Sequence, residues 1–133
     1  MKPGRVVCWK LFHNLKENLQ SKVQADLVVA GAKDGKASQI ALYDLREKSS
    51  LADYVMICEG RSQPHCRGIA EKIQEKLKLT KIRPLGIEGE MEGTWILLDY
   101  GDVIAHIFHP DIRTYYKLDE LQPGPPLETW DEE

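Results

Sequence analysis

Asp99 and Asp102 are the residues whose spacing first suggests chemistry, because they lie between two apolar runs in the segment GTWILLDYGDVIAHIF. Two-metal phosphoryl transfer needs carboxylates that converge on ions about 4 Å apart. Side chains on a strand alternate between its faces, so D-x-D brings two carboxylates together, whereas D-x-x-D across a glycine sends them apart. Asp and Gly also suit the turn of a hairpin. The pattern therefore favours a hairpin turn over a catalytic pair.

The step Gly60-Arg61-Ser62 is a second candidate, since it lies between a predicted strand and a predicted helix. Backbone N–H groups at the start of a helix can bind a phosphate. The segment matches neither a Walker loop nor G-x-G-x-x-G, and Ser62 is well suited to be a helix N-cap with Pro64 in the first turn. We expect the cap.

The histidines and cysteines do not combine into a site. His65 and Cys66 are adjacent on a predicted helix, so their side chains do not face each other. Cys58 lies in an apolar strand, which favours an inert core thiol. His106 and His109 have metal-like spacing but no third ligand in register. The sequence therefore predicts no catalytic residue, no metal site and no cofactor, and hence a protein that is not an enzyme.

Periodicity predicts the elements that position these residues. A helix is expected from an apolar stripe that recurs every four residues and is ended by Gly31 and Gly35. The stripe consists of Leu11, Leu15, Leu19, Val23 and Leu27. A second helix follows Ser62, and a short last helix is expected around Tyr115, Leu118 and Leu121. Predicted strands are Ile40–Leu45, Tyr54–Cys58, Ile82–Ile87, Gly93–Leu98 and Val103–Phe108.

This order predicts an α/β fold, a compact layered mixed sheet of five strands with helices packed on it. The segment 54–87 should form a parallel strand–helix–strand crossover. We assign residues 1–20 to an N-terminal extension that is helical in part, 21–121 to the domain, and 122–133 to an acidic, proline-rich, mobile tail.

Composition limits the partners and the compartment. The formal net charge is −3, which argues against a protein that grips nucleic acid with its whole surface. Basic residues nevertheless predominate in residues 67–83, so RNA is expected as a peripheral neighbour at most. Three cysteines without CxxC spacing fit a reducing compartment, and no apolar run is long enough to span a membrane. We expect a cytoplasmic protein.

Strand Gly93–Leu98 is apolar on both faces, and Trp95 lies on one of them. Helices can cover one face of so small a sheet, and an open apolar patch that carries an aromatic residue is typical of an interaction site. The alternative, in which Trp95 is ordinary core, stays open at this point.

The motifs together closely resemble the ribosomal silencing factor family, also called Iojap-related, over about residues 27–121. They are Ser49-Ser50, Asp53-Tyr54, Gly60-x-Ser62 with His65, Gly93-x-Trp95, Leu98-Asp99-Tyr100-Gly101-Asp102 with His106 and Phe108, and Arg113-x-Tyr115-Tyr116. Gln39 and Gly68 depart from the family pattern, which usually has Asp and Ala there.

The resemblance implies a non-catalytic fold related to nucleotidyltransferases, without that superfamily's catalytic carboxylates. It implies binding to protein uL14 of the large ribosomal subunit, a block on joining of the small subunit, and repression of translation when nutrients are scarce. The implied partner-binding residues are Trp95, Leu98, Asp99, Tyr100 and Asp102. Two alternatives to ribosome binding remain, a nucleotide-binding or nucleotidyltransferase-type enzyme and a dimeric scaffold. A homodimer is also compatible with ribosome binding.

Overall fold

The structure, a computed structural model, describes residues 20–131. Its elements in chain order are α1 (residues 20–34), β1 (Ser38–Asp44), β2 (Tyr54–Glu59), α2 (Gln63–Lys78), β3 (Gly86–Glu88), β4 (Trp95–Asp99), β5 (Val103–Phe108), α3 (Pro110–Tyr116), a 3₁₀ helix (Leu118–Leu121) and β6 (Glu128–Trp130). The predicted extension lies outside the described residues except for Gln20. No helix in the described part combines the length and apolar character that a membrane crossing needs.

The strands form one mixed sheet in the order β3-β4-β5-β2-β1-β6. Among the strand pairs of the described residues, only the central pair, β2 and β5, is parallel. The predicted count of five strands is wrong, because β6 pairs antiparallel with β1 and adds a sixth. This strand arises in the segment assigned to a mobile tail. Three residues are too few to produce a readable alternation, so the pairing partner and not the local pattern defines it.

The strand predicted over Ile82–Ile87 is shorter and later, and only Gly86–Glu88 pairs with β4. Since β3 is antiparallel to β4, which is antiparallel to β5, β3 runs parallel to β2. The predicted crossover through α2 is therefore present, with β5 and β4 lying between its two strands.

The buried face of helix α1 matches the predicted stripe only in part, because Leu27 packs against the core whereas Val23 is exposed. Val23 is 53% exposed, while Ala25, Val28 and Ala32 are fully buried. A stripe at every fourth residue drifts around a helix of 3.6 residues per turn, which explains the error at Val23. Leu11, Leu15 and Leu19 lie outside the described residues. The helix also continues through Gly31 to residue 34 instead of ending at that glycine.

The sheet separates two apolar clusters. The larger one lies under α1 and α2, where fully buried residues from both helices pack on the sheet. The smaller one lies on the opposite face and is built on Tyr43, Val55, Ile57 and Phe108. Among the described helices, only α3 and the 3₁₀ helix add apolar side chains to this second cluster, through Ile112 and Leu118. We call it the open face, because within residues 20–131 no long helix lies over its β4 side.

Candidate functional site

The tip between β4 and β5 is a hairpin turn, as predicted. The Tyr100 amide donates to the Val103 carbonyl at 2.9 Å, and Gly101 adopts a φ of 84° that few other residues tolerate. The Asp99 carboxylate accepts the Gly101 amide at 2.8 Å. Asp99 therefore closes its own turn, which is the structural role that the sequence indicated.

Asp102 lies exposed at the tip, and its main-chain carbonyl accepts the amides of Asp53 at 2.8 Å and Tyr54 at 3.0 Å. These bonds fasten the tip to the start of β2. Within residues 20–131, no group of three or more His, Cys, Asp or Glu side chains is placed to hold a metal ion. The hairpin thus has the geometry of a rigid projection.

Of the five residues implied as a partner site, Trp95, Leu98 and Asp99 lie on β4, whereas Tyr100 and Asp102 lie in the turn that follows it. Burial alternates along the strand, so Trp95, Leu97 and Asp99 are half-buried on the open face. Leu98 is fully buried and Tyr100 is 6% exposed, both in the cluster under the helices. The surface offered by this strand is therefore made by its odd-numbered residues.

Trp95 and Asp99 lie at opposite ends of β4, about 13 Å apart for four steps along a strand. Between them, Leu97 has His106 as its cross-strand neighbour on β5, and Ile104 is the neighbour of Asp99. All of these residues are half-buried. We call the set Trp95, Leu97, Asp99, Ile104 and His106 the open strip.

Carboxylates flank the apolar part of the open strip. Glu88 on the edge strand β3 is exposed and pairs with Leu97, so the two side chains share a face. Asp99 lies at the far end of the same row. An apolar centre with acidic margins suits a partner surface that is basic around an apolar contact.

Trp95 anchors an aromatic cluster at one end of the open strip. Its ring centroid lies 5.0 Å from that of Phe108 and 5.2 Å from that of Tyr116, while Tyr115 meets Tyr116 edge-on at 4.9 Å. Both tyrosines are exposed. They were missed as site residues, although the adjacent pair in RTYY was visible in the sequence, because only the fold places α3 beside β4.

His106 contacts Trp95 directly: the indole Nε1–H donates to Nδ1 of the imidazole at 3.2 Å. The His106 ring also stacks on Phe108 with an interplanar angle of 12°. Burial lowers the pKa of His106 to about 4, since an imidazolium would lose its hydration there. His106 is therefore neutral at physiological pH and able to accept the indole proton.

Arg113 fixes α3 and with it the tyrosine pair. Its guanidinium binds the Asp119 carboxylate at 2.9 and 2.8 Å and reaches Glu59 of β2 at 3.1 Å. Because these groups are mostly buried, the contacts define one position for α3 against the sheet.

The remaining candidates have structural roles. Ser62 caps α2 by accepting the His65 amide at 3.2 Å, as predicted. His65 itself accepts the Arg61 amide at Nδ1 and meets the Gly35 carbonyl at Nε2, both at 2.8 Å, so it ties α2 to the end of α1. Cys58 is fully buried, and burial raises the pKa of its thiol. His109 caps α3.

With this geometry in place, comparison with known proteins identifies the family. A family model described as RsfS, ribosomal silencing factor during starvation, matches residues 18–129. The chain belongs to the ribosomal silencing factor family. A protein named ribosomal silencing factor RsfS from Bacillus subtilis is 37% identical over 101 residues, which cover 76% of this chain and 86% of that protein.

Other relatives extend the likeness. The Zymomonas mobilis protein of the same name is 38% identical over 71% of each chain. Mouse mitochondrial assembly of ribosomal large subunit protein 1 is 24% identical over 79% of this chain and 47% of its own length. These relatives are named as ribosome factors and not as enzymes.

Two solved structures share the fold. A Chromobacterium violaceum protein superposes with a TM-score of 0.73 at 29% identity, covering 78% of this chain and 90% of its own. A Bacillus halodurans protein gives 0.69 at 33% identity and covers 85% and 98%.

Proposed function

We propose that this protein is a ribosomal silencing factor that binds the large ribosomal subunit through protein uL14 and thereby blocks joining of the small subunit. Family membership and the names of the relatives support the silencing role. The name of the mouse relative, which refers to assembly of the large subunit, supports the choice of that subunit. Repression of translation under nutrient limitation would follow from the lower number of joined ribosomes.

The open strip is the observation that carries the docking proposal. Trp95 is half-buried on a sheet face over which the described part of the chain places no long helix, and it lies beside two exposed tyrosines. Large aromatic residues supply most of the binding energy in protein interfaces. We assign the surface contacts to Trp95, Asp99 and Asp102, whereas Leu98 and Tyr100 hold the hairpin in shape from the core side.

Charge supports a basic partner. The chain carries a net charge of −3, and Glu88 and Asp99 place carboxylates beside the apolar strip. Ribosomal proteins are commonly basic, so such a surface would speed encounter by electrostatic steering. The block on subunit joining would be steric. A domain bound on the joining face of the large subunit would occupy space that the small subunit needs. The implied kinship with nucleotidyltransferase folds remains part of the same proposal, without a catalytic step.

Sedimentation tests the proposal. Purified protein is mixed with isolated large subunits, with small subunits, or with both. The mixtures are then run through sucrose gradients at a magnesium concentration at which the subunits join. We expect co-migration with the large subunit and a smaller peak of joined particles. Free protein at the top of the gradient together with normal joining would disprove the function.

A matched pair of variants localises the contact. Trp95→Ala should weaken binding by at least ~2 kcal/mol, as expected for an anchor residue. Leu79→Ala removes an equally apolar, 82% exposed side chain after α2, in the helix layer on the other side of the sheet, and should leave binding unchanged. Light scattering over a concentration series tests self-association through the same strip, which would compete with docking.

A further inference from the structure

The hydrogen bond between Trp95 and His106 is the feature of the open strip that docking alone does not explain. An exposed interface tryptophan commonly keeps its indole N–H for a partner or for water. Here that donor is already used inside the protein, at 3.2 Å from Nδ1 of His106. The two residues are diagonal neighbours on adjacent antiparallel strands, since Trp95 pairs with Phe108 and Leu97 pairs with His106.

The bond requires one form of the imidazole. Nδ1 accepts a proton from Trp95 only when it carries none itself, so the ring must be neutral with its hydrogen on Nε2. Two packing contacts hold the rings in this arrangement. The His106 ring stacks on Phe108 with centroids 5.8 Å apart, and the Trp95 ring centroid lies 5.0 Å from that of Phe108.

We propose that His106 is a positioning residue of the docking surface: its Nδ1 holds the Trp95 indole in one orientation and removes the indole N–H from recognition. The inference rests on the proposed function and deepens it. A side chain that is ordered before binding loses less conformational entropy on docking, which strengthens the complex.

The arrangement also defines the chemistry opposite Trp95. With its donor occupied, the indole offers only an aromatic surface, so the partner places an apolar or basic side chain there and no unpaired hydrogen-bond acceptor. A lysine or arginine meets both the ring and the nearby Glu88 carboxylate favourably. The partner side chain opposite Trp95 is therefore basic or apolar.

Two substitutions separate the hydrogen bond from mere packing. His106→Asn keeps an acceptor, because the Asn Oδ1 occupies nearly the position of Nδ1. His106→Leu has similar size but no acceptor. Hydrogen exchange of the Trp95 indole N–H, followed by ¹⁵N NMR and assigned with Trp95→Phe, reports the bond in the free protein, and large-subunit binding reports its effect.

In the unmodified protein, we expect the Trp95 indole N–H to be protected from hydrogen exchange and the His106 imidazole to carry its hydrogen on Nε2. This measurement does not depend on whether any variant folds. His106→Leu should lose the protection and bind large subunits about fivefold more weakly, the effect of one net hydrogen bond. His106→Asn should retain both properties. Protection or affinity unchanged in His106→Leu, or an unprotected indole in the unmodified protein, overturns the inference.

The control distinguishes this outcome from failure of the function. If large subunits bind the unmodified protein and lose affinity for Trp95→Ala but not for His106→Leu, docking stands and the positioning role falls. If the unmodified protein does not bind large subunits, the docking proposal and the positioning role fall together, while the exchange data still decide whether the bond exists.

Discussion

Arg113 and Asp119 form a two-point ion pair, with 2.9 Å from Nε to Oδ1 and 2.8 Å from Nη2 to Oδ2. The second carboxylate oxygen also accepts the Tyr43 hydroxyl at 2.7 Å. Arg113 Nη1 donates to the Gln39 carbonyl at 2.5 Å and to Glu59 at 3.1 Å. One arginine thus joins β1, β2, α3 and the 3₁₀ helix, and it holds both helices against the open face.

Replacing this arginine should destabilise the whole domain. The side chains of Arg113 and Glu59 are only 13% and 17% exposed, so Arg113→Met leaves a nearly buried carboxylate without its cation. We expect a loss of about 2–4 kcal/mol in the free energy of unfolding, measured by urea denaturation followed by circular dichroism.

Lys76→Met is the control for Arg113→Met. Lys76 forms an ion pair with Asp34 at 3.0 Å, but both side chains are at least one-third exposed. Solvent screens such a pair, so the expected loss is below about 0.5 kcal/mol. Equal, small losses in the two variants would show that the Arg113 network is not holding the fold.

Gly31 and Gly68 both lie within helices, and replacing each with alanine should change the free energy of unfolding in opposite directions. A Cβ on Gly31 would lie 2.5 Å from the Ile73 Cα, where α1 crosses α2 backbone against backbone. Gly31→Ala should therefore cost about 2 kcal/mol or more despite the better helix propensity of alanine. A Cβ on Gly68 meets nothing within 4 Å, so Gly68→Ala should stabilise by roughly 0.5–1 kcal/mol.

Thermal unfolding of the two variants measures this contrast under the same conditions. A Gly31→Ala variant as stable as Gly68→Ala would mean that α1 and α2 are farther apart than the structure has them. The close approach of α1 and α2 also accounts for a glycine inside α1. Gly31 lets the two helix backbones come together, and it does not end the helix.

Local sequence patterns were sufficient to predict the elements whose residues themselves signal a strand, a helix or a turn. Short apolar runs between turn-forming residues identified β1, β2, β4 and β5, and the Ser62 cap with the following apolar period identified α2. The D-x-x-D spacing with its glycine identified the hairpin turn. In each case a single element carries its own signal in its apolar residues, its cap or the turn residues beside it.

The errors concern relations between distant segments. Strand β6 exists because it pairs with β1, more than eighty positions earlier. Gln39 lies at a bulge in β1 with a φ of 49°, and its carbonyl turns toward Arg113, which no local pattern indicates. Likewise, alternation divided β4 into two faces but did not tell which face the long helices leave open.

His106 should make stability depend on pH. Burial lowers the pKa of His106 from its ordinary value of 6.5 to about 4 in the folded protein. Between these values the unfolded state binds a proton that the folded state does not, so stability falls as pH drops from about 7 toward 4. The contribution between pH 7 and 5 is roughly 1–2 kcal/mol.

Urea denaturation at pH 7 and 5 checks this dependence, with His106→Asn as the comparison. The variant should lose less stability over the interval than the unmodified protein. Asp119 acts in a different window, because the Arg113 hydrogen bonds lower the pKa of its carboxyl and its contribution disappears only on further acidification. Identical pH profiles for both proteins would refute the assignment to His106.

Tyr100→Phe tests whether this residue acts from the core. The Tyr100 hydroxyl is buried without a hydrogen-bond partner among the described residues, and burial raises the pKa of Tyr100 to about 12. Removing an unpaired buried hydroxyl should leave the free energy of unfolding unchanged or raise it by up to about 1 kcal/mol. Large-subunit binding should stay unchanged, and a clear loss of binding in a stable variant would place the hydroxyl in the interface.

Tyr116→Ala tests whether α3 belongs to the docking surface. Tyr116 is 52% exposed and lies 5.2 Å from the Trp95 ring, so it extends the aromatic cluster beyond β4. We expect binding to large subunits to weaken by about 1–2 kcal/mol with little change in unfolding, since much of this side chain is in solvent. Leu79→Ala should show no loss in the same sedimentation assay. If both variants bind as tightly as the unmodified protein while Trp95→Ala does not, the partner contacts the β4 row alone and α3 serves only to support Trp95.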